Sequence, residues 1–189
     1  MQRTAICDHG TSKNGFSLIE LLITLAAGVI LLSIGIPSFQ TLAASNQQAS
    51  EINSFVRHLN LARSLAVKTG RDHVLCPSLD MIWCLEDTVW GKGYILFEDD
   101  NENGLRDPRE PLRQSSRPLG KIGIDMRSTE GRKQIIYRAD GRSVGSNLTL
   151  TFCDAGDKAA PRAVILSNTG RARISETKWD GSPLSCGDG

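Results

Sequence analysis

The hydrophobic positions at the start of the chain form one nearly unbroken run. From Phe16 to Ile36 the sequence reads FSLIELLITLAAGVILLSIGI, and its single formal charge is Glu20. A helix of this length and composition can span a bilayer. A cleaved secretory signal carries its small-residue site after the apolar core, whereas Gly15 precedes it here. We therefore predict a transmembrane helix segment over residues 16–37 that stays in the mature chain.

After Pro37 the apolar residues change to steps of three or four. These positions are Phe39, Leu42, Ile52, Phe55, Val56, Leu59, Ala62 and Ala66. Polar residues fill the gaps, which is typical of an amphipathic helix. The pattern predicts that the helix continues to about Lys68, where Gly70 is well placed to end it.

The rest of the chain shows the shorter apolar segments of β-strands. The predicted strands are 72–77, 93–97, 134–137, 148–152, 163–166 and 171–174. Gly, Asp, Asn and Pro are frequent in the connections between them. A long N-terminal helix followed by strands predicts a single α+β head over residues 38–189, with a sheet packed on the amphipathic half of the helix.

Composition and charge limit the functions open to this chain. Its 189 residues suffice for one ordinary core, and the net charge of +1 argues against a general binder of polyanions. Any nucleic-acid binding must come from a local patch. From Arg106 to Arg142 there are ten Lys or Arg against five Asp or Glu. Such a surplus could widen a basic face, but it is scattered over several predicted loops.

Five cysteines are present, and only Cys7 precedes the apolar run. In an exported domain the remaining four predict two disulfides, because oxidising compartments preserve them. Of the three pairings we favour Cys76–Cys84, which closes a short loop, with Cys153–Cys186, which fastens the C-terminal tail. Four free buried thiols are the alternative.

Glu20 is the least ordinary residue of the apolar run, since a carboxylate near the start of a membrane helix is costly without a partner. The segment Gly15-Phe16-Ser17-Leu18-Ile19-Glu20 resembles the prepilin peptidase site of type IV pilins and type II secretion pseudopilins. The resemblance implies a leader over residues 1–15, cleavage between Gly15 and Phe16, and methylation of the new amino group. It also implies that Glu20 pairs with the amino terminus of a neighbouring subunit.

The mature chain as a whole resembles the GspH/FimT/FimU minor pilins, most closely FimT and FimU. The resemblance rests on the helix, the segment 90–97, the Asp/Asn loop that follows it and the segment 167–173. It implies the pilin fold, in which the long helix packs on an antiparallel β-sheet head. The implied function is that of a minor type IV pilin that supports pilus assembly. A GspH-like minor pseudopilin of type II secretion, without DNA binding, is the alternative.

The same resemblance implies a location and a set of partners. The chain is expected in the bacterial inner membrane as a single-pass protein with a periplasmic head, and in a cell-surface pilus after assembly. The expected partners are other major and minor pilins, the prepilin peptidase, inner-membrane lipid before assembly, and double-stranded DNA.

The DNA expectation comes from Gly170-Arg171-Ala172-Arg173. Some FimT proteins bind DNA through a Gly-Arg-x-Arg motif during natural transformation, so the resemblance gives that role to Gly170, Arg171 and Arg173. Strand alternation would place both arginines on one face, about 7 Å apart, where they could grip successive phosphates. The alternative is that they pair with carboxylates of a neighbouring strand or subunit.

The loop from Asp99 to Glu110 has the residue spacing of an EF-hand calcium loop, with Asp107 at its ninth position. Pro108 and Pro111 oppose an exiting helix, and a strand is predicted before the loop. A polar hairpin turn explains the same residues, so both interpretations stay open.

The sequence shows no catalytic constellation, and we expect neither an enzyme nor a cofactor. His9 lies in the expected leader, while His58 and His73 have no nucleophile placed beside them by any motif. Cys76 and Cys84 near His73 fit no common zinc spacing, which favours the disulfide over a metal site.

Overall fold

The computed structural model describes residues 15–117 and 123–186, so the expected leader, apart from Gly15, lies outside the described residues. The first element is helix α1, Leu18–Thr69, which runs through Pro37. The predicted end of the helix is confirmed: Gly70 has φ 69°, and its N–H donates to the Ala66 carbonyl at 2.9 Å. A left-handed glycine in this position is a common way to end a helix.

The chain divides after Phe39 into two compact units. In the first unit the helix is apolar and exposed: an 18-residue window of α1 has a mean hydropathy of 2.4, and none of that window is buried. In the described part of the chain, α1 is the one helix long and apolar enough to cross a membrane.

In its described residues the second unit carries eight strands in two antiparallel sheets. The strands are β1 Asp72–Pro77, β2 Tyr94–Asp99, β3 Leu112–Ser116, β4 Ile124–Ser128, β5 Ile135–Tyr137, β6 Leu148–Asp154, β7 Arg162–Leu166 and β8 Ala172–Ser175. The first sheet has the order β3-β2-β1-β5 and the second the order β4-β6-β7-β8. The expectation of an antiparallel α+β head on a long helix is confirmed, with two sheets in place of one.

All six predicted strands are present, with each end within two residues of the prediction, and two further strands in the described residues were missed. β3 has the sequence LRQSS and is mostly exposed at the edge of the first sheet. β4 has the sequence IDMRS, in which only Ile124 and Met126 are apolar. These segments are too short and polar for their periodicity to identify them as strands. They form strands because they pair with β2 and β6.

The core lies where one face of α1 meets both sheets. Phe55, Leu59, Ala62 and Ala66 on the helix have no exposed surface. Leu75, Leu96, Ile135 and Tyr137 of the first sheet join this core, as do Met126, Leu150, Phe152 and Val164 of the second. The helix face therefore fills the space between the two sheets.

Two disulfides hold segments that lie beside the sheets. The structure joins Cys76 to Cys84 and Cys153 to Cys186, which is the pairing favoured from the sequence. Cys84 and Met81 pack against the face of the first sheet formed by Val74, Cys76, Ile95 and Phe97. Cys186 ties the C-terminal tail to β6.

The turn between β7 and β8 docks against the loop that follows β5. The Gly170 N–H donates to the Ser167 carbonyl at 2.9 Å, and Gly170 has φ 76°. A Cβ on Gly170 would lie 2.3 Å from the carbonyl oxygen of Gly141 and 3.1 Å from Cε1 of Tyr137. Both the backbone conformation and the close approach therefore require glycine.

Three further hydrogen bonds fix this turn. The Ser143 N–H donates to the Asn168 carbonyl at 3.0 Å. The Gly170 carbonyl accepts from the Tyr137 hydroxyl at 3.3 Å and from Arg63 Nη1 at 3.4 Å. The β7–β8 turn is therefore attached to both the post-β5 loop and helix α1.

Removing the Cys153–Cys186 bond should destabilise the head more than removing Cys76–Cys84. The bonds close segments with sequence separations of 33 and 8 residues, and loop-closure entropy then gives about 4 and about 2.5 kcal/mol. Urea unfolding of residues 40–189 with paired Cys→Ser substitutions measures both costs. A larger cost for the short loop would contradict the prediction.

Gly170→Ala should cost about 3 kcal/mol in the free energy of unfolding, because it adds left-handed strain and forces the two backbones apart. Gly145→Ala is the matched control: Gly145 has φ 79°, yet an added Cβ there meets no atom within 4 Å. The control should lose only about 1 kcal/mol. If both variants lost the same free energy of unfolding in urea, the close approach to the Gly141 carbonyl would add no cost and the prediction would be wrong.

Candidate functional site

Arg171 immediately precedes edge strand β8, and Arg173 is the second residue of that strand. Arg173 is paired with Ile165 of β7, and the Ser167 N–H donates to the Arg171 carbonyl at 3.1 Å. Between the two arginines, Ala172 is partly buried and packs against the core, whereas both arginines are exposed. The alternation of the strand thus puts the two guanidinium groups on the face away from the core.

Neither arginine forms an ion pair with a described residue. The carboxylate that β8 leads to, Glu176, lies 3.4 Å from Arg162 of β7 instead. Within the described residues, the alternative in which a neighbouring strand neutralises Arg171 and Arg173 is therefore not observed. Both charges are available to a ligand.

Most of the basic run from Arg106 to Arg142 has a structural role. Six of its ten members contact other groups of the head: Arg106 with the Ile82 and Glu110 carbonyls, Arg113 with Glu98, Arg127 with Asp125, Arg132 with the Gly145 carbonyl and Asn147, Lys133 with Glu86, and Arg138 with Asp72. Lys121 lies outside the described residues. Arg109, Arg117 and Arg142 are exposed and have no ion pair with a described residue. The surplus of charge is therefore smaller at the surface than in the sequence.

A charge cluster around the buried Glu98 was not expected from the sequence. The Glu98 side chain is 5% exposed and accepts hydrogen bonds from Arg113 and Arg71. Those from Arg113 lower the pKa of Glu98 below its ordinary value. His73 pairs with Glu98 across β1 and β2, and burial lowers its pKa. The cluster ties the edge of the first sheet together and leaves Arg113 no free charge for a ligand.

The Asp99 to Glu110 loop is closed by its own hydrogen bonds. The Asp99 carboxylate accepts from the Asn103 N–H at 3.2 Å and the Gly104 N–H at 2.7 Å. The Glu110 carboxylate accepts from the Asp100 N–H at 2.9 Å and the Asp107 N–H at 2.8 Å. No group of three or more His, Cys, Asp or Glu side chains in residues 15–117 and 123–186 is arranged to hold a metal ion. The loop joins the paired strands β2 and β3, which is the arrangement of a hairpin turn, and it lacks the flanking helices of an EF-hand.

At the other end of the chain, the residues of the expected processing site are accessible. Gly15, Phe16 and Ser17 precede helix α1 and are exposed, and the exposed fraction of Phe16 is 80%. Glu20 is exposed in the first turn of α1. The peptide bond between Gly15 and Phe16 thus lies in exposed, non-helical backbone before α1.

Two family models match this chain. The model described as Prokaryotic N-terminal methylation motif matches residues 10–36, which include the segment from Gly15 to Glu20. The model described as Type II transport protein GspH matches residues 51–170, from the amphipathic half of α1 to the β7–β8 turn.

Individual proteins show the same similarity. The pilin-like protein PilA1 of Thermus thermophilus is 27% identical over 171 residues, which cover 86% of this chain and 99% of that protein. The crystal structure of the type IV minor pilin FimU of Pseudomonas aeruginosa superposes with a TM-score of 0.51 at 19% identity, covering 72% of this chain and 92% of FimU. The minor pseudopilin EpsH from the type 2 secretion system of Vibrio cholerae gives a TM-score of 0.48 at 14% identity, covering 68% of this chain and 96% of EpsH.

The FimU superposition shows a shared fold, and the family is shown by the sequence model. The GspH model spans 120 of the 189 residues, counted from 51 to 170. The fold agrees with it in the long apolar helix and the antiparallel head. This chain therefore belongs to the GspH family and is a minor pilin or pseudopilin.

Proposed function

We propose that this protein is a minor type IV pilin that supports pilus assembly and binds double-stranded DNA for uptake in natural transformation. The observation that carries the DNA role is the exposed pair Arg171 and Arg173, which has no ion-pair partner among the described residues. Exposed guanidinium groups without internal partners are the groups that phosphates bind.

The backbone of the site suits phosphate binding. Arginines two residues apart on one strand face are separated by about 7 Å, which lets them contact successive phosphates of one DNA strand. Gly170 and its hydrogen bonds to the Tyr137 hydroxyl and Arg63 hold the start of β8 in place. Because the backbone is fixed, little conformational entropy is lost there when DNA binds.

Assembly uses the opposite end of the chain. In this proposal the prepilin peptidase removes residues 1–15 after Gly15, the amino group of Phe16 is methylated, and the apolar helix holds the subunit in inner-membrane lipid with its head in the periplasm. Glu20 then pairs with the positive amino terminus of a neighbouring pilin, because a carboxylate among packed apolar helices needs a cationic partner. This contact would carry the subunit into the cell-surface filament.

A GspH-like minor pseudopilin of type II secretion is the second candidate. It is favoured by the description of the matched family, Type II transport protein GspH. In that case Arg171 and Arg173 would contact carboxylates of another subunit, and the protein would not bind DNA. The two candidates share the membrane helix and differ in the ligand of β8.

Arg171→Gln with Arg173→Gln should weaken DNA binding about 30-fold at near-physiological salt, since two phosphate contacts are lost. The slope of log K against log salt concentration should fall by about 1.8. Fluorescence anisotropy of a labelled duplex, titrated with the full chain in detergent micelles at several salt concentrations, measures both quantities. Arg57→Gln with Arg109→Gln, which removes two exposed arginines elsewhere, is the matched control. Equal affinity of the two double variants would exclude the specific role of the β8 arginines.

Glu20→Gln should leave cleavage and membrane insertion intact and reduce incorporation into filaments over a hundredfold, because a broken buried ion pair costs about 3 kcal/mol or more. Immunoblots of sheared filaments and of membranes report the two pools. Thr24→Val is the control, as the Thr24 hydroxyl donates to the Leu21 carbonyl of its own helix at 2.9 Å. Native incorporation of the Glu20→Gln subunit would contradict the proposed contact.

A further inference from the structure

We infer that Arg142 is a third phosphate-binding arginine, brought beside Arg171 by the packing of two turns. The turns are residues 138–142, after β5, and residues 167–171, between β7 and β8; we call them the paired turns. This inference rests on the proposed DNA-binding function and extends it to a residue far away in the sequence.

The backbones of the paired turns touch on both sides of Arg142. Before it, the Gly141 carbonyl oxygen lies 2.3 Å from where a Gly170 Cβ would stand. After it, the Ser143 N–H donates to the Asn168 carbonyl at 3.0 Å. The residue between Gly141 and Ser143 is therefore held beside the turn that leads into Arg171.

The backbone of Arg142 is itself fully engaged. Its N–H donates to the Asp140 carboxylate at 2.9 Å, and its carbonyl accepts from the Arg138 N–H at 2.8 Å. Its side chain is exposed and forms no ion pair with a described residue. Arg138, at the start of the same turn, pairs instead with the buried Asp72. Of the two arginines in this turn, Arg142 is thus the one whose charge a ligand can use.

The local charge favours an anion. Arg142, Arg171 and Arg173 are exposed, and half-buried Arg63 donates to the Gly170 carbonyl next to Arg171 at 3.4 Å. Asp140 is the one carboxylate within the paired turns, and one of its oxygens accepts the Arg142 N–H. Within residues 138–142 and 167–173, three arginines remain after Arg138 pairs with Asp72, and they stand against one acidic side chain, Asp140, a surplus that the whole chain, at a net charge of +1, does not have.

The chemistry of the paired turns indicates the ligand. The Ser167 hydroxyl donates to the Arg171 carbonyl at 3.2 Å and lies 2.8 Å from the exposed Thr169 hydroxyl, which is the one that can donate to a phosphate oxygen. The paired turns contain no aromatic side chain on which a base could stack. Arginine and hydroxyl groups without stacking rings recognise the phosphodiester backbone and carry no sequence information. The ligand class is accordingly duplex DNA read through its backbone, with affinity independent of base sequence.

Arg142→Gln in the full chain tests this inference with the same labelled duplex and salt series. We expect binding about five- to tenfold weaker and a salt slope lower by about 0.9, as for any lost phosphate contact. Arg109→Gln, an exposed arginine in the loop between β2 and β3, should change neither quantity. AT-rich and GC-rich duplexes of equal length should bind equally.

A second measurement uses the native chain and does not depend on the folding of any variant. Phenylglyoxal modifies accessible arginines, and mass spectrometry with and without saturating duplex reports which of them DNA covers. Protection of Arg142 together with Arg171 supports the inference, with Arg109 modified equally in both samples. Equal modification of Arg142 with and without DNA overturns it.

The outcomes separate this inference from the proposed function. If the double variant at Arg171 and Arg173 weakens binding while Arg142→Gln behaves like Arg109→Gln, only the role of Arg142 is wrong. If neither the double variant nor Arg142→Gln changes binding, DNA binding through β8 itself is wrong, and this inference fails with it.

Discussion

The contact of Phe55 with rings from both sheets is the interaction on which the rest of the head depends. Its ring meets Trp90 at 5.8 Å, Tyr94 at 5.2 Å and Phe152 at 6.0 Å between centroids, each edge to face. Tyr94 belongs to the first sheet and Phe152 to the second. Each sheet has an apolar face that must be buried, and α1 is the surface on which both are buried together. Without this helix face, neither sheet would have a complete core.

The same helix also determines the geometry of the candidate site. Along its last turns the buried residues become small, at Ala62 and Ala66, which allows the backbone around the helix to approach closely. A Cβ on Gly141 would lie 2.9 Å from Val67 Cγ2 and 3.3 Å from Arg63 Nε. Arg63 in turn donates to the Gly170 carbonyl. The paired turns are thus packed on the end of α1, and a change in the core at Ala62 or Ala66 would reach the arginines through the backbone.

Sequence periodicity predicted the elements that have a clear apolar pattern. It failed for strands that form only because they pair with a neighbouring strand. Helix α1 and six strands follow from their spacing of apolar residues. β4 was missed because its alternation covers only Ile124 and Met126, and its place comes from the register in which Met126 faces Phe152 of β6. The division into two sheets was also not predictable, since which strands pair is decided by contacts far apart in the sequence.

Only part of the candidate site could be predicted from the sequence, again because contacts between distant segments are not visible in it. A local motif located Arg171 and Arg173, and strand alternation placed them on one face. Arg142 appeared only as one of ten basic residues, because the approach of its neighbour Gly141 to Gly170 is a contact between segments that are separate in the sequence. Most of its neighbours in that basic run are held by carboxylates or carbonyls, which no pattern of charges along the chain reveals.

In the motif Gly170-Arg171-Ala172-Arg173 the structure separates two residues that folding requires from two that it does not. Gly170 is required by its φ and by the Gly141 carbonyl, and Ala172 by its contact with the core, so both would be needed for folding alone. No contact with the described residues requires arginine at position 171 or 173. Charged side chains on an edge strand do discourage pairing with another chain, which is a use for any cation. Arginine at both positions, beside Arg142 of the paired turns, fits the proposed phosphate ligand, since a planar guanidinium can donate two hydrogen bonds to two phosphate oxygens where an ammonium offers a point charge.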